Sequence, residues 1–346
     1  MLMEKIIEPE LPIVDPHHHL WDRRPVMHMR PSAGALFDEL VRGLPVYLFD
    51  ELWGDLKSGH NVRATVFVEC RAMYRADAPE WLQCVGETEF VNGVAAMSAS
   101  GIYGPLRACA GIVGSCELRQ PERVPEVLEA QIAAGNGRFR GIRQGAAWDK
   151  DPAVLGGIAR VGEGLFRDAA FRKGFAHLSR FGLSFDAWML EPQLPDLIDL
   201  ARAFPDTEIV LDHVGAPLGI ASYKGKREER FDTWTRSIRE LAACENVVVK
   251  LGGLAMPFPG FASYKSEPPA SSEQLAEEWR PYIETCIDAF GVRRAMFESN
   301  FPVDSGSCTY AVLWNAFKRL AKNFSADEKT ALFSGTAARV YRISVP

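Results

Sequence analysis

The stretch "IVDPHHHLWD", residues 13–22, places three consecutive histidines directly after a short apolar run. An open, doubly wound α/β sheet carries a glycine-rich phosphate turn at that place, immediately after its first strand. Here a proline and three imidazoles stand there instead, which points away from a dinucleotide fold. Similar apolar, β-branched runs recur as "RATVFVEC" (63–70), "CAGIVGSC" (109–116), "RFRGIRQG" (138–145) and "GLSFDAWM" (182–189). "TEIVLDHVG" (207–215), "NVVVKLGG" (246–253) and "RRAMFESNFP" (293–302) complete the series. Between them lie stretches with apolar residues three and four apart, such as "ERVPEVLEAQIAAG" and "LPDLIDLARAF", the spacing of amphipathic helices. Strands alternating with helices predict parallel βαβ units. Eight of them in 346 residues predict an α/β fold, a single (β/α)8 TIM barrel spanning residues 5–345 with no second domain.

Two connections exceed ordinary loop length. Residues 20–62 follow the first strand and contain "YLFDELWGDL", which reads as a helix. Residues 254–272, "LAMPFPGFASYKSEPPASS", follow the seventh and read either as a lid or as a surface insertion. Both leave the carboxyl ends of strands, where barrel enzymes build their sites.

Bulk properties narrow the partners. The net charge of -6 and the absence of any dense Lys/Arg block give no reason to expect nucleic acid. No run approaches the ~18 uninterrupted apolar residues of a membrane span. The opening "MLMEKIIEPELP" has acids and prolines where a signal peptide is apolar, so a cytoplasmic location is expected. The seven cysteines are dispersed with no CxxC pair, the usage of reduced thiols. A small molecule is the expected partner, with a homo-oligomer left open.

Alternation along a strand places Asp15, His17 and His19 on one face and His18 on the other. His17 and His19 then face one point, as two ligands of an ion or as a hydrogen-bonded pair without metal; tight zinc binding needs a third protein ligand. The sixth strand ends in Asp212 and His213. The eighth brings Glu298 and Asn300, read as sharing a face, with Asp304 beyond the proline. In a closed barrel these strand ends converge. Glu69 and Arg71 follow strand two, Arg143 and Gln144 end strand four, Asp186 interrupts strand five and Lys250 strand seven. Buried charges demand partners, so Glu69–Arg71 and Asp186–Lys250 pairs are one reading. The other is that Arg71, Arg143 or Lys250 holds a substrate carboxylate, for which a guanidinium fork is suited. Trp21, Tyr74, Trp148, Trp188 and Phe301 lie near the same ends, as packing or as walls for a ring.

"VDPHHHLWD", "FVEC", "GIRQG", "LDHVG", "VKLGGL", "ESNFPVD" and the closing "ALFSGTAARVYRI" together resemble the amidohydrolase-related (amidohydrolase 2) branch of the amidohydrolase superfamily, over about residues 11–344. The resemblance is to its lactonase-like group, which contains L-fuconolactonase, 2-pyrone-4,6-dicarboxylate lactonase and sulfomuconolactonase. It implies a barrel that opens a lactone, or hydrolyses a related acyl bond, at the carboxyl ends of its strands. By position His17 and His19 match the family's first-strand pair and His213 its sixth-strand histidine, and Arg143 falls where relatives bind substrate. Three departures stand out. Asn300 replaces the aspartate that handles the attacking water, and an amide accepts no proton at neutral pH. Strand five offers Asp186 and Trp188 in place of a ligand histidine. Strand four offers Gln144 where a bridging lysine would stand.

These departures argue against a binuclear centre and leave no metal or a single Zn2+ held by His17, His19 and His213. The expected mechanism is water attack on a lactone carbonyl, with Asp304, Glu298 or a histidine taking the proton. The histidines or the zinc would stabilise the oxyanion. Glu69, Arg71, Tyr74, Arg143, Gln144, Trp148, Asp186 and Lys250 would bind a substrate that carries a carboxylate. The alternatives are a metal-dependent, non-oxidative decarboxylase of an aromatic or unsaturated acid, against which Asn300 stands, and a barrel that binds a small acid without converting it.

Overall fold

The computed structural model describes residues 4–25, 39, 42–156 and 161–344. Eight parallel strands form one sheet in chain order: β1 (Pro12–His18), β2 (Asn61–Val68), β3 (Arg107–Ser115), β4 (Phe139–Arg143), β5 (Ser184–Ala187), β6 (Ile209–Leu211), β7 (Val247–Leu251) and β8 (Ala295–Phe297). Each falls inside or across one of the eight apolar runs read from the sequence. The first and last approach each other past their hydrogen-bonded ends. There Asn300 N–H donates to His17 C=O at 2.9 Å and His19 N–H to Phe301 C=O at 2.8 Å, so the sheet curls into a nearly closed barrel.

Helices pack outside, started by side chains that satisfy their free N–H groups. Ser271 and Gln274 form a capping box at the head of Ser272–Phe290, and Thr309 caps Tyr310–Leu320. Inside the barrel, Val14, Ala64, Val66, Val113, Val210, Val248 and Met296 form a lower apolar layer. Ala337, Val340, Tyr341 and Ile343, from the last helix and the residues after it, plug it from below. Layers of small and branched residues fill barrels of this size.

Strand β1 departs from simple alternation. Its pairing with β2 shifts register between Asp15 and His18, an irregularity of the kind that turns a side chain to the opposite face. Val14 and His17 therefore both point into the barrel, whereas Asp15 accepts from Ser299 N–H at 3.0 Å and from the Tyr310 hydroxyl at 3.0 Å, at the seam between β1 and β8. The shared face expected for Asp15 and His17 is thus corrected. His18 does stand apart, its Nε2 2.8 Å from Thr65 Oγ1.

The connection after β1 folds into a two-stranded ribbon, Trp21–Asp22 against Val46–Tyr47, followed by the expected helix at Phe49–Leu56. Its residues 26–38, 40 and 41 lie outside the described residues. The connection after β7 runs as turns until Ser272. Its Met256 and Phe258 join Trp21, Ala72, Ala147, Leu190, Leu218 and Val303 in one apolar cluster. This cluster draws on the connections after β1, β2, β4, β5, β6, β7 and β8, and it lies on the carboxyl side of the sheet. No helix among the described residues is long and apolar enough to cross a membrane.

Candidate active site

Above the apolar layer the barrel interior turns charged. The inward-facing position at or just past the carboxyl end holds a charged or titratable residue on seven of the eight strands: His17 on β1, Glu69 after β2, Arg143 on β4, Asp186 on β5, Asp212 after β6, Lys250 on β7 and Glu298 after β8. All are buried. Burying so much charge is tolerable only if every group finds a counter-charge.

His17 is the hub. Its Nδ1 lies 2.8 Å from Glu298 Oε2, 3.1 Å from Lys250 Nζ and 3.5 Å from Asp212 Oδ1. Its Nε2 lies 3.3 Å from His19 Nε2 and 3.4 Å from Arg143 Nη1. His19 is oriented from behind: its Nδ1–H donates to the Val68 carbonyl at 2.8 Å, which leaves Nε2 as an acceptor facing His17. His213 reaches the same place from a single tight turn, Asp212–Gly215, in which it adopts a left-handed φ of 57°. Glu298 Oε1 fixes it twice, accepting from its Nδ1 at 2.7 Å and from its backbone N–H at 3.1 Å. Gly253 makes room for it, since a Cβ there would lie 2.5 Å from His213 Cβ.

Two cations bind the acids together. Lys250 Nζ donates to Asp186 Oδ2 at 2.7 Å and contacts Asp212 Oδ1 at 3.1 Å. Arg143 donates through Nε to Glu69 Oε1 at 2.9 Å and through Nη2 to the Glu69 carbonyl, while Nη1 faces Asp212 Oδ2 at 3.4 Å. The expected Asp186–Lys250 pair is present. Glu69, however, pairs with Arg143; Arg71 is exposed with a φ of 62°. The backbone turns between the two residues, and barrel curvature brings β4 across to Glu69.

Environment separates the carboxyls. Burial would raise Glu298, but the charges and hydrogen bonds of His213 and His17 outweigh it and bring the carboxyl down to about 2. Burial likewise opposes ionisation of Asp212, and Lys250 and His17 overcome it, holding the group well below its ordinary value. Burial disfavours the His213 imidazolium, yet the Glu298 charge beside it raises the imidazole above its usual range. His17 and His19 go the other way, lowered by burial and then by the cations and imidazoles around them. Asp304 lacks a close cation. Burial pushes it up to about 7, against the pull of the His213 charge and of the Asn300 hydrogen bond. Asn300 Nδ2–H donates to Asp304 Oδ1 at 2.8 Å, and Oδ2 closes no hydrogen bond of ordinary geometry. Asn300 itself has a φ of 52°: the chain has left the strand, so it shares no face with Glu298, contrary to the alternation expected there.

The remaining candidates are dispersed. Gln144 turns outward, accepting from Leu118 N–H at 2.9 Å and donating to Glu117 at 2.8 Å. Tyr74 and Trp148 are half-buried at the carboxyl side, Tyr74 near the Glu69 and Glu87 carboxyls. Phe301 packs into the core against Tyr310, while Trp21 stacks 6.0 Å from His19. Sequence reasoning named Asp212 only as His213's neighbour and missed Tyr341, whose hydroxyl donates to Asp186 Oδ2 at 2.7 Å. Alternation carries no signal for Asp212, because a strand residue next to an inward-facing histidine is expected on the opposite face; the left-handed turn that starts at His213 lets both serve the site.

Among the described residues, His17, Asp212 and His213 can each offer a metal-ligand atom, all within 4.8 Å of one another. His19 is outside this group. At His17 Nδ1 the fit to an ion is poor as the side chains stand: Lys250 Nζ already lies 3.1 Å from that nitrogen and 3.1 Å from Asp212 Oδ1, and Glu298 Oε2 lies 2.8 Å from the same nitrogen.

Residues 14–343 match the family model described as Amidohydrolase. The chain is 33% identical over 340 residues to the uncharacterised protein y4mH of Sinorhizobium fredii, covering 96% of this chain and 99% of that one. It is 29% identical over 338 residues to an L-fucono-1,5-lactonase of Burkholderia multivorans, covering 96% and 97%. A crystal structure of an amidohydrolase from Burkholderia multivorans with bound zinc superposes with a TM-score of 0.71 at 26% identity, covering 96% and 99%.

Proposed function

The chain belongs to the amidohydrolase family, and on that premise we propose that it is a hydrolase opening a lactone of a small, carboxylated substrate by water attack at the carboxyl end of the barrel. The likeness to an L-fucono-1,5-lactonase supports the bond class and leaves the particular sugar or ring acid open. The observation that carries the reading is Asp304: a fully buried carboxyl poised at about 7, with one oxygen held by Asn300 and the other without an ordinary hydrogen bond. A general base works best with a pKa near the working pH. The proton acceptor that position 300 lost is thereby supplied four residues later, and the amide of Asn300 orients it.

In this reading Asp304 deprotonates the attacking water. His213, its Nδ1 tied to Glu298, carries raised proton affinity and donates from Nε2 to the developing oxyanion. Arg143, locked by Glu69, adds fixed positive charge beside His17. Preorganised donors of this kind are worth roughly 3–4 kcal/mol each. The apolar cluster on the carboxyl side excludes bulk water and strengthens these interactions. With Lys250 already at His17 Nδ1 and Asp212 Oδ1, the positive charge in this reading comes from the chain's own side chains.

Net proton release from a panel of sugar lactones and carboxylated lactones tests the proposal. Wild-type turnover should rise with pH through about 7, because the base must be ionised. Asp304→Asn should lower kcat at least ~100-fold in a folded protein. Unaltered turnover by that variant eliminates the base. Release of carbon dioxide instead of protons favours decarboxylation and overturns the reaction class.

A further inference from the structure

We propose that the side-chain ammonium of Lys250 is the resident cation of this site, standing where a divalent metal would otherwise bind among His17, Asp212 and His213. The inference rests on the site assigned to the proposed hydrolase and concerns what fills it. Lys250 is fully buried, and Nζ meets three groups at hydrogen-bond distance: Asp186 Oδ2 at 2.7 Å, Asp212 Oδ1 at 3.1 Å and His17 Nδ1 at 3.1 Å. Two carboxylates and an imidazole form a donor set that a divalent ion would accept. Two of the three candidate metal ligands thus already face a cation.

The ammonium is anchored as well as surrounded. The Tyr341 ring centroid lies 5.5 Å from Nζ, and the Tyr341 hydroxyl donates 2.7 Å to the same Asp186 oxygen that Lys250 holds. Tyr341 belongs to the buried segment that plugs the barrel from below, so the lysine rests on that plug. Two cations cannot share Asp212 Oδ1 and His17 Nδ1 at close range, because neither charge is screened by water in this interior. A metal entering here must displace Lys250 from both. Tyr341 acts as a positioning residue in this arrangement: it touches Asp186 and Lys250, and through them sets where the charge stands.

Zinc titration against a chromophoric chelator tests the proposal without using turnover. The proteins are wild type, Lys250→Met, which keeps the length of the side chain without its charge, and Lys250→Met/Asp186→Asn. The double variant removes lysine and anchoring acid together, and so keeps the test open if the single change leaves too much buried negative charge to fold. Both variants should bind one zinc at least ten-fold tighter than wild type, and adding Asp212→Asn should abolish the gain. Zinc should raise the thermal midpoint of the variants more than that of the wild type. Equal zinc affinity in all three proteins overturns the proposal, as does a wild type that holds one zinc tightly through Asp212. Because no substrate is involved, failure of the lactonase reading leaves this result intact, and the reverse holds.

Discussion

Asp304 and Glu298 are both fully buried carboxyls at the end of β8, and their surroundings drive them in opposite directions, to about 7 and about 2. The difference is one of partners: Glu298 has two imidazoles at hydrogen-bond distance, whereas Asp304 has an amide. The raised group has a consequence for stability. Its folded pKa exceeds the ordinary 3.8, so the stability it contributes is complete below that value and is lost as pH rises through about 7. At roughly 1.4 kcal/mol per pKa unit, the cost above neutrality is on the order of 4 kcal/mol. Asp304→Asn keeps the shape and the acceptor for Asn300 without that cost. Its thermal midpoint, relative to wild type, should climb between about pH 4 and 7 and level off above. A difference independent of pH would show that burial is not what shifts this acid. Stability gained by the substitution that removes activity is the pattern of a functional residue.

Among elements, β1 and the turn after β6 decide what the histidines can do. Alternation over residues 17–19 agrees with the structure, where His17 Nε2 and His19 Nε2 lie 3.3 Å apart and His18 turns to Thr65. The same rule misplaced Asp15, because the shift depends on how β1 pairs with β2 and leaves no mark in β1's own residues. The turn Asp212–Gly215 holds His213 in a left-handed conformation that only its neighbours sustain. One of those neighbours is Gly253, at a φ of 68°, where a Cβ would stand 2.5 Å from His213 Cβ. Gly253→Ala should therefore displace the imidazole and lower kcat by about 10- to 100-fold. Gly93→Ala, in the helix Val85–Ala99 with nothing within 4 Å of the new Cβ, should leave turnover unchanged and stabilise slightly. Equal kinetics in the two variants would remove Gly253 from the account.

At the scale of the whole molecule, an apolar shell carries stability and a charged layer carries chemistry. Phe171 is fully buried among Phe166, Phe175 and Phe185, at centroid distances of 5.7, 5.9 and 6.0 Å, outside the barrel and away from the charged layer. Phe171→Ala should cost about 3–5 kcal/mol and lower the thermal midpoint by several degrees. Activity per folded molecule, measured well below that midpoint, should be retained. A proportionate loss of activity would mean that shell and site are not separable. The sequence by itself determined the eight strands, their order and the polar residues at their ends, because strand period and burial are local properties that each segment displays alone. Only the tertiary structure decided that Glu69 meets Arg143 rather than Arg71, that Asp212 faces inward with His17, and that Tyr341 lies beneath Lys250. Those contacts join segments far apart in the chain. Their geometry comes from closure of the barrel, and no single stretch of residues encodes that.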